Sequence, residues 1–198
     1  MRNNPIPRET DFMTIRQAAL GDEQPVIELI VRAIHDIAEQ LTGEDTEEKA
    51  AGKLKRFYRM EGNRFSYRNV LVKEADGEVA GMILCYRGQD AAALDKPLLE
   101  ELKLRTGNPD IALDVEADTD EFYIDSVAVF EEYAGRGYGT ELLRAAERWA
   151  AQRGCDRIAL NVDYDNEKAH ALYRRLGYEQ DKDITINKHL FRHMRKPV

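Results

Sequence analysis

A run of alternating glycines, Gly135, Gly137 and Gly139, stands between a β-like apolar run and an amphipathic helical stripe. Glycines let the backbone turn sharply and leave its N–H groups uncovered. A helix that begins here adds unsatisfied N–H donors and the positive end of a dipole. The pattern predicts a site for a phosphate or pyrophosphate group, although a plain tight turn has the same spelling.

The two common nucleotide-binding motifs do not fit this loop. A P-loop needs GxxxxGK[ST], and no glycine of the chain is followed by Lys-Ser or Lys-Thr. The dinucleotide fingerprint GxGxxG also fails, because the glycines run GxGxG and no early βαβ unit surrounds them. The loop therefore does not indicate an ATP or NAD site.

An acidic run precedes the strand that leads into the glycine loop: Asp114, Glu116, Asp118, Asp120 and Glu121. Negative potential at the mouth of a site concentrates a cationic amine, but such a run is also typical of a solvated loop. Asp125 stands two residues before Val127 in the β-like run, so we expect their side chains to share a face. The Asp125 carboxylate is either a general base or a residue that holds neighbouring backbone.

The positioning elements follow from changes in hydrophobic period. Helical spacing runs from Val26 to Leu41, with Asp22 as the expected N-cap, and a second helix is predicted over Thr46–Met60. Two strands flank a turn at 75–77, a short helix near 94–104 closes at Gly107, and a central strand precedes the glycine loop. Helices at 142–150 and 167–176 flank a strand at 158–162, and two short strands follow. We predict an α/β (α+β) domain over 13–198 behind a loose leader, 1–12.

Composition narrows the function classes. The 198 residues fit one domain, and a net charge of -8 argues against a duplex-DNA partner. Cys85 and Cys155 lack a CxxC spacing, and His189 and His193 have no helical partner ligands, so no disulfide or metal is expected. No stretch has the length of a membrane span or the apolar core of a signal peptide, which predicts a cytoplasmic protein without a membrane partner.

Two runs resemble the GNAT superfamily of N-acetyltransferases: VAVFEEYAGRGYGTELL at 127–143 and LNVDYDNEKAHALYRRLGY at 160–178. The resemblance is strong over 121–179 and extends to 13–86 by the order of elements. It implies a mixed, mostly antiparallel sheet of six or seven strands flanked by helices, with a splayed central cleft. It also implies acetyl-CoA as co-substrate and direct transfer of its acetyl group to a primary amine.

The resemblance also implies roles for individual residues. It places Val127 and Val129 beside the pantetheine arm of acetyl-CoA, and Asn161 near the acetyl group. Asn166 and Ala169 would flank the pantetheine. The pyrophosphate would be held by backbone N–H groups of the loop, at Gly135, Arg136, Gly137, Gly139 and Thr140. Ala134 falls where the family usually has Arg or Gln, which removes side-chain support but leaves the backbone donors.

Tyr173 matches the family tyrosine that faces the thioester sulfur. A phenol with a pKa of about 10 can protonate a thiolate whose conjugate acid has a pKa near 8.5, so Tyr173 is the candidate general acid. Ala169, Leu172 and Leu176 lie at helical spacing from Tyr173, so core packing is the alternative for its side chain.

Three functions remain open at this point. We favour acetylation of a small-molecule amine of cationic character, with the substrate pocket shaped by 22–60 and 87–120. Acetylation of a protein N-terminus or lysine is the second, and a non-catalytic acyl-CoA-binding module is the third. A homodimer is compatible with the resemblance, although no residue of the chain demands one.

Overall fold

The computed structural model describes residues 15–34 and 37–198. The predicted leader, 1–12, lies outside these residues. The described residues form seven strands: β1 Ile15–Gln17, β2 Val70–Ala75, β3 Glu78–Arg87, β4 Phe122–Val129, β5 Arg157–Asp163, β6 Glu179–Ile186 and β7 His189–Pro197. The helices are α1 Glu23–Ile34, α2 Ile37–Thr42, α3 Glu47–Arg59, α4 Ala91–Thr106, α5 Tyr138–Gln152 and α6 Glu167–Arg175.

All seven strands form one sheet in the order β1-β2-β3-β4-β5-β7-β6. Every neighbouring pair is antiparallel except β4 and β5, which are parallel. This confirms the predicted mixed, mostly antiparallel sheet. The last two strands are longer than expected, because β7 pairs with β5 from Arg157 to Asp163 and β6 pairs with β7 as a hairpin.

Each face of the sheet carries its own hydrophobic cluster. Leu84 and Met82 of β3 pack with α1 and α3, on what we call the α1 face. Ile83 and Cys85 of β3 pack with α5 and α6, on the α5 face. Alternate residues of β3 therefore pack in the two clusters, because successive side chains of a strand point to opposite faces. None of the described helices is both long and apolar enough to cross a bilayer.

The first helical region differs from its prediction. The Asp22 carboxylate accepts a hydrogen bond from Ala19 N at 2.7 Å and pairs with Arg16 at 2.6 Å. It therefore stabilises the short turn before α1 rather than capping the helix, because Arg16 on the neighbouring strand draws it away. The predicted stripe from Val26 to Leu41 is helical on both sides of residues 35–36, in α1 and α2, and residues 35–36 lie outside the described part.

The other helix boundaries match their signals. Thr46 Oγ1 accepts a hydrogen bond from Lys49 N and caps α3, while Gly107 ends α4 in the left-handed conformation that glycine tolerates. The β2–β3 turn has positive φ at Asp76 and Gly77, as a tight hairpin turn requires. These elements bring two helical layers against the sheet and leave its centre, between β4 and β5, to form a site.

Candidate active site

The central strands β4 and β5 separate part-way along their length. They pair at three positions, of which the last is Ile124 opposite Leu160. Beyond that point β4 continues to pair with β3, and β5 continues to pair with β7. A cleft of about 400 Å³ opens where they part, with α1 on one side and α6 on the other.

A β-bulge in β4 decides which side chains face each side of this cleft. Ile124 pairs with Cys85 and Ser126 pairs with Leu84, so Asp125 has no partner in the register. The extra residue places Val127 against the α5-face cluster, whereas Asp125 bonds to Tyr86 and Arg64 on the α1 face. The expectation that Asp125 and Val127 share a face is therefore wrong, because simple alternation fails across a bulge.

The glycine loop lies at the start of α5. Gly135 and Gly137 have φ of 76° and 86°, values that side-chain-bearing residues rarely adopt. The first α-helical bond of α5 runs from Glu141 N to Gly137 O, which leaves the N–H groups of Tyr138, Gly139 and Thr140 without helical acceptors. Nothing lies within 4 Å of a Cβ built on Gly135 or Gly137, so the loop is open on its outer side. This geometry suits a phosphate group.

Helix α6 brings a tyrosine to the opposite wall of the cleft. Asn166 caps α6 by accepting a hydrogen bond from Ala169 N at 3.1 Å, and both residues line the cleft. Tyr173 lines it as well, and its ring packs edge-on against Tyr178 with centroids 6.0 Å apart. Burial raises the pKa of Tyr173 to about 12, so the phenol keeps its proton at neutral pH.

A network of buried charges lies on the α1 face. Arg64, whose side chain is 3 % exposed, donates to Asp125 through Nε at 3.0 Å and to Glu116 at 3.0 Å, and it pairs with Asp95 at 3.4 Å. Tyr86 donates to Asp125 at 3.0 Å. Burial would lower the pKa of Arg64, but the carboxylates outweigh it and raise that pKa. Burial raises the pKa of Asp95 and of Glu116, and Arg64 offsets part of each shift.

Contacts with other elements hold the acidic segment, residues 114–121, on the α1 face, while Asp114 and Asp120 stay exposed to solvent. Glu116 accepts hydrogen bonds from Tyr123 at its side chain and from Asn161 at its carbonyl, at 3.0 and 2.9 Å. Gly88 allows the close approach, since a Cβ there would lie 1.8 Å from Asp118 O. Four further contacts hold the segment: Asp114 with Asn187 N, Asp118 with Lys182, Asp120 with Arg157, and Glu121 with His193.

The profile of the acetyltransferase (GNAT) family matches residues 32–178. The chain belongs to the GNAT acetyltransferase family. A solved structure described as an acetyltransferase is 34% identical, covering 93% of this chain and 98% of that one, with a TM-score of 0.77. An N-acetyltransferase from Staphylococcus aureus is 27% identical, covering 92% and 99%, with a TM-score of 0.75. The predicted family and fold are confirmed, and acetyl-CoA is the donor that this family uses.

The GNAT cleft brings together most of the site residues predicted from sequence. Those lining it are Asp125, Val127, Val129, Asn161, Asn166, Ala169 and Tyr173. The loop residues from Gly135 to Thr140 lie at the N-terminus of α5, which follows β4, and Ala134 closes the turn before them through its N–H to Glu131 O. Asp125 is ion-paired with Arg64, so a role as base requires it to accept a proton while it keeps that partner. The individual roles remain predictions.

Sequence reasoning placed Glu116 in the acidic run near the site but missed the other residues that surround Asp125. Arg64, Tyr86 and Tyr123 carry no motif, and Arg64 lies 61 residues from Asp125 in the chain. Its sequence carried no signal of burial, because arginine is mostly exposed unless it is paired and the partners of Arg64 lie on distant elements. Ser126, in the bulged strand, was also missed.

A second polar cluster joins Asp118, Glu121 and His193, whose potential ligand atoms all lie within 4.8 Å of one another. His193 is fully buried and contacts Asp181 through Nδ1 at 2.5 Å and Glu121 through Nε2 at 3.2 Å. Burial would lower the pKa of His193, but the two carboxylates outweigh it and raise that pKa. Asp118 and His193 have partners outside the cluster, whereas Glu121 Oε2 has none within the described residues. The expectation that the protein uses no metal stays a prediction.

Proposed function

We propose that this GNAT protein is an acetyl-CoA-dependent N-acetyltransferase that acts on a small, cationic primary amine. The observation that carries the proposal is the gap between β4 and β5, which has uncovered N–H donors on one side and buried carboxylates on the other. Two reactants can therefore meet from opposite faces of the sheet, and direct transfer needs only that they be held in line.

The residues on the α5 face fit acetyl-CoA. The free N–H groups at the start of α5 suit the pyrophosphate, and the backbone of β4 beyond Ile124, unpaired on its β5 side, suits the amides of the pantetheine arm. Bound acetyl-CoA supplies an acetyl group activated as a thioester. We place the thioester end of the cleft beside Tyr173, which lines the wall opposite β4.

Tyr173 is proposed to hold and deliver the proton at its Oη. A pKa raised to about 12 keeps the phenol protonated, so that it can donate to a departing thiolate and recover its proton from water. Asp125, on the other face, is proposed to assist loss of a proton from the incoming ammonium group, directly or through water. Its pairing with Arg64 and Tyr86 fixes its position next to the gap.

Charge and enclosure support a small cationic amine substrate. Three carboxylates, of Asp95, Glu116 and Asp125, surround the single guanidinium of Arg64, which leaves an excess of negative charge on the α1 face. Two cavities of about 200 and 250 Å³ adjoin Glu116 between the acidic segment and helices α2 and α4. Cavities of this size favour a small molecule over an extended protein segment.

The test is release of CoA thiol from acetyl-CoA in the presence of individual amines. The panel contains cadaverine, spermidine, tyramine and a short peptide with a free N-terminus and a lysine. We expect the diamine and polyamine to raise the rate most, with mass spectrometry showing one acetyl group added to nitrogen. Turnover of the peptide alone would favour protein acetylation instead. Tight binding of acetyl-CoA without turnover of any amine would favour a non-catalytic module.

A further inference from the structure

Two polar atoms in the walls of the cleft have no hydrogen-bond partner within the described residues: Ser126 Oγ and Asn161 Oδ1. Both atoms are buried, and Ser126 is 7 % exposed. Buried hydroxyl and amide oxygens are almost always paired in native proteins, because desolvation without a partner is unfavourable. Unpaired atoms in the wall of a cleft therefore indicate a ligand that pairs with them.

The two side chains lie on the same face of the sheet, on the two strands that flank the gap. Ser126 pairs with Leu84, which belongs to the α1-face cluster, and Asn161 contacts Glu116 and Tyr123 on that same face. Asn161 is the first residue of β5 beyond the last β4–β5 pair, and Ser126 directly follows the bulge in β4. They face the side of the gap opposite to α5 and Tyr173.

Asn161 is held so that only its oxygen is free. Its Nδ2 donates to Glu116 O and to Tyr123 Oη, both at 2.9 Å, which uses both amide hydrogens. Asn161 Oδ1 can therefore only accept a hydrogen bond from a ligand. The Ser126 hydroxyl can accept one as well.

A neutral primary amine has two N–H groups and one lone pair, which matches two acceptors on either side of a gap. We propose that Asn161 Oδ1 and Ser126 Oγ accept these two N–H groups and leave the lone pair directed through the gap toward the α5 face. This rests on the proposed function. A secondary amine has one N–H in its neutral form and leaves one of the two buried oxygens unpaired, so the pair selects primary amines.

The variant Ser126→Ala isolates this role, because Ser126 Oγ has no bond within the described protein to lose. The matched control is Ser66→Ala, in another buried serine whose Oγ accepts a hydrogen bond from Arg68 N, outside the cleft. The assay compares the panel amine that is turned over fastest with its N-methylated form, for example cadaverine with N,N′-dimethylcadaverine. Thermal stability and the Kd for acetyl-CoA are measured for every protein.

We expect Ser126→Ala to keep the stability and the Kd for acetyl-CoA of the wild type. It should lose about tenfold in kcat/KM on the primary amine and less on the methylated one, so that the preference for primary amines narrows. Ser66→Ala should lose stability and keep that preference. An unchanged kcat/KM in Ser126→Ala, or an equal loss on both amines, would overturn the inference alone. A wild type that acetylates no amine would overturn the proposed function, and this inference with it.

Discussion

The two faces of the cleft are built in different ways. On the α5 face, β4, the glycine loop, α5, β5 and α6 come from one stretch of chain, 122–175, and backbone groups supply much of the proposed chemistry. On the α1 face, charged side chains meet from separate segments, with Arg64 lying 52 residues from Glu116 and 61 from Asp125. The first face exposes backbone N–H donors through a geometry that glycine permits, and the second holds its charges only while the whole fold is intact.

This difference between the faces predicts whether a substitution should change folding or ligand binding. A change on the α1 face removes a partner from buried charges and should affect folding first. A change in the glycine loop alters an open surface and should affect ligand binding while the fold persists. Stability and ligand binding or turnover can therefore be measured separately for each face.

The largest effect on stability is expected from Arg64→Ala. Removing the guanidinium leaves Asp125, Glu116 and Asp95 buried without their shared cation, and loss of one partner of a buried ion pair costs about 3–5 kcal/mol. Arg136→Ala, in the exposed loop on the other face, is the control and should change stability by less than about 0.5 kcal/mol. Denaturant unfolding measures both. Equal stabilities would mean that the network does not support the fold.

Gly137→Asp should weaken the binding of acetyl-CoA rather than lower stability. The new carboxylate lies at the N-terminus of α5 and repels a phosphate, so the Kd for acetyl-CoA should rise by about a hundredfold. Gly62→Asp is the matched control, because Gly62 also has a positive φ and open space around it but follows α3 rather than preceding α5. Calorimetry of both variants separates backbone strain from ligand repulsion. An unchanged affinity in Gly137→Asp would remove the loop from the binding site.

Tyr173→Phe should lower kcat by at least about tenfold with the Kd for acetyl-CoA unchanged, since it removes a proton donor and keeps the ring. Tyr178→Phe, in the packed neighbour, should leave kcat near the wild-type value. Because burial raises the pKa of Tyr173 to about 12, loss of its proton should not limit kcat until near that pH. Equal rates for Tyr173→Phe and wild type would assign the tyrosine to core packing.

The smallest effect is a pH dependence of stability on the α1 face. The pKa of His193 is raised above its ordinary 6.5 by Glu121 and Asp181. Its stabilising contribution is therefore complete below the unfolded value and is lost as the pH rises through the higher folded value. Thermal melts across this range should show the decline in the wild type and a flatter profile in His193→Gln. Identical slopes would contradict the assignment.

The sequence allowed prediction of the features that depend on local rules. The turn at 75–77, the end of α4 at Gly107 and the glycine loop follow from residue types at fixed positions. The contacts of Asp22 were not predicted, because its partner, Arg16, lies on another element. The bulge at Asp125 was missed for a similar reason, since its register depends on pairing with β3.

The contacts of the acidic segment were also beyond what the sequence could predict. A charge run reads as solvated because sequence alone shows none of its partners, yet Glu116 and Glu121 contact Arg64 and His193 from distant elements. The unpaired oxygens of Ser126 and Asn161 could not be predicted from the sequence. They are recognised only because the described part of the folded chain gives them no hydrogen-bond partner.

A calorimetric titration of the purified protein with acetyl-CoA, beside one with CoA, tests whether the gap between β4 and β5, with the glycine loop beside it, binds the acetyl donor. We expect one site per chain with a Kd on the order of micromolar, and an affinity that falls in Gly137→Asp but not in Gly62→Asp. Absence of binding by the wild type would contradict this expectation.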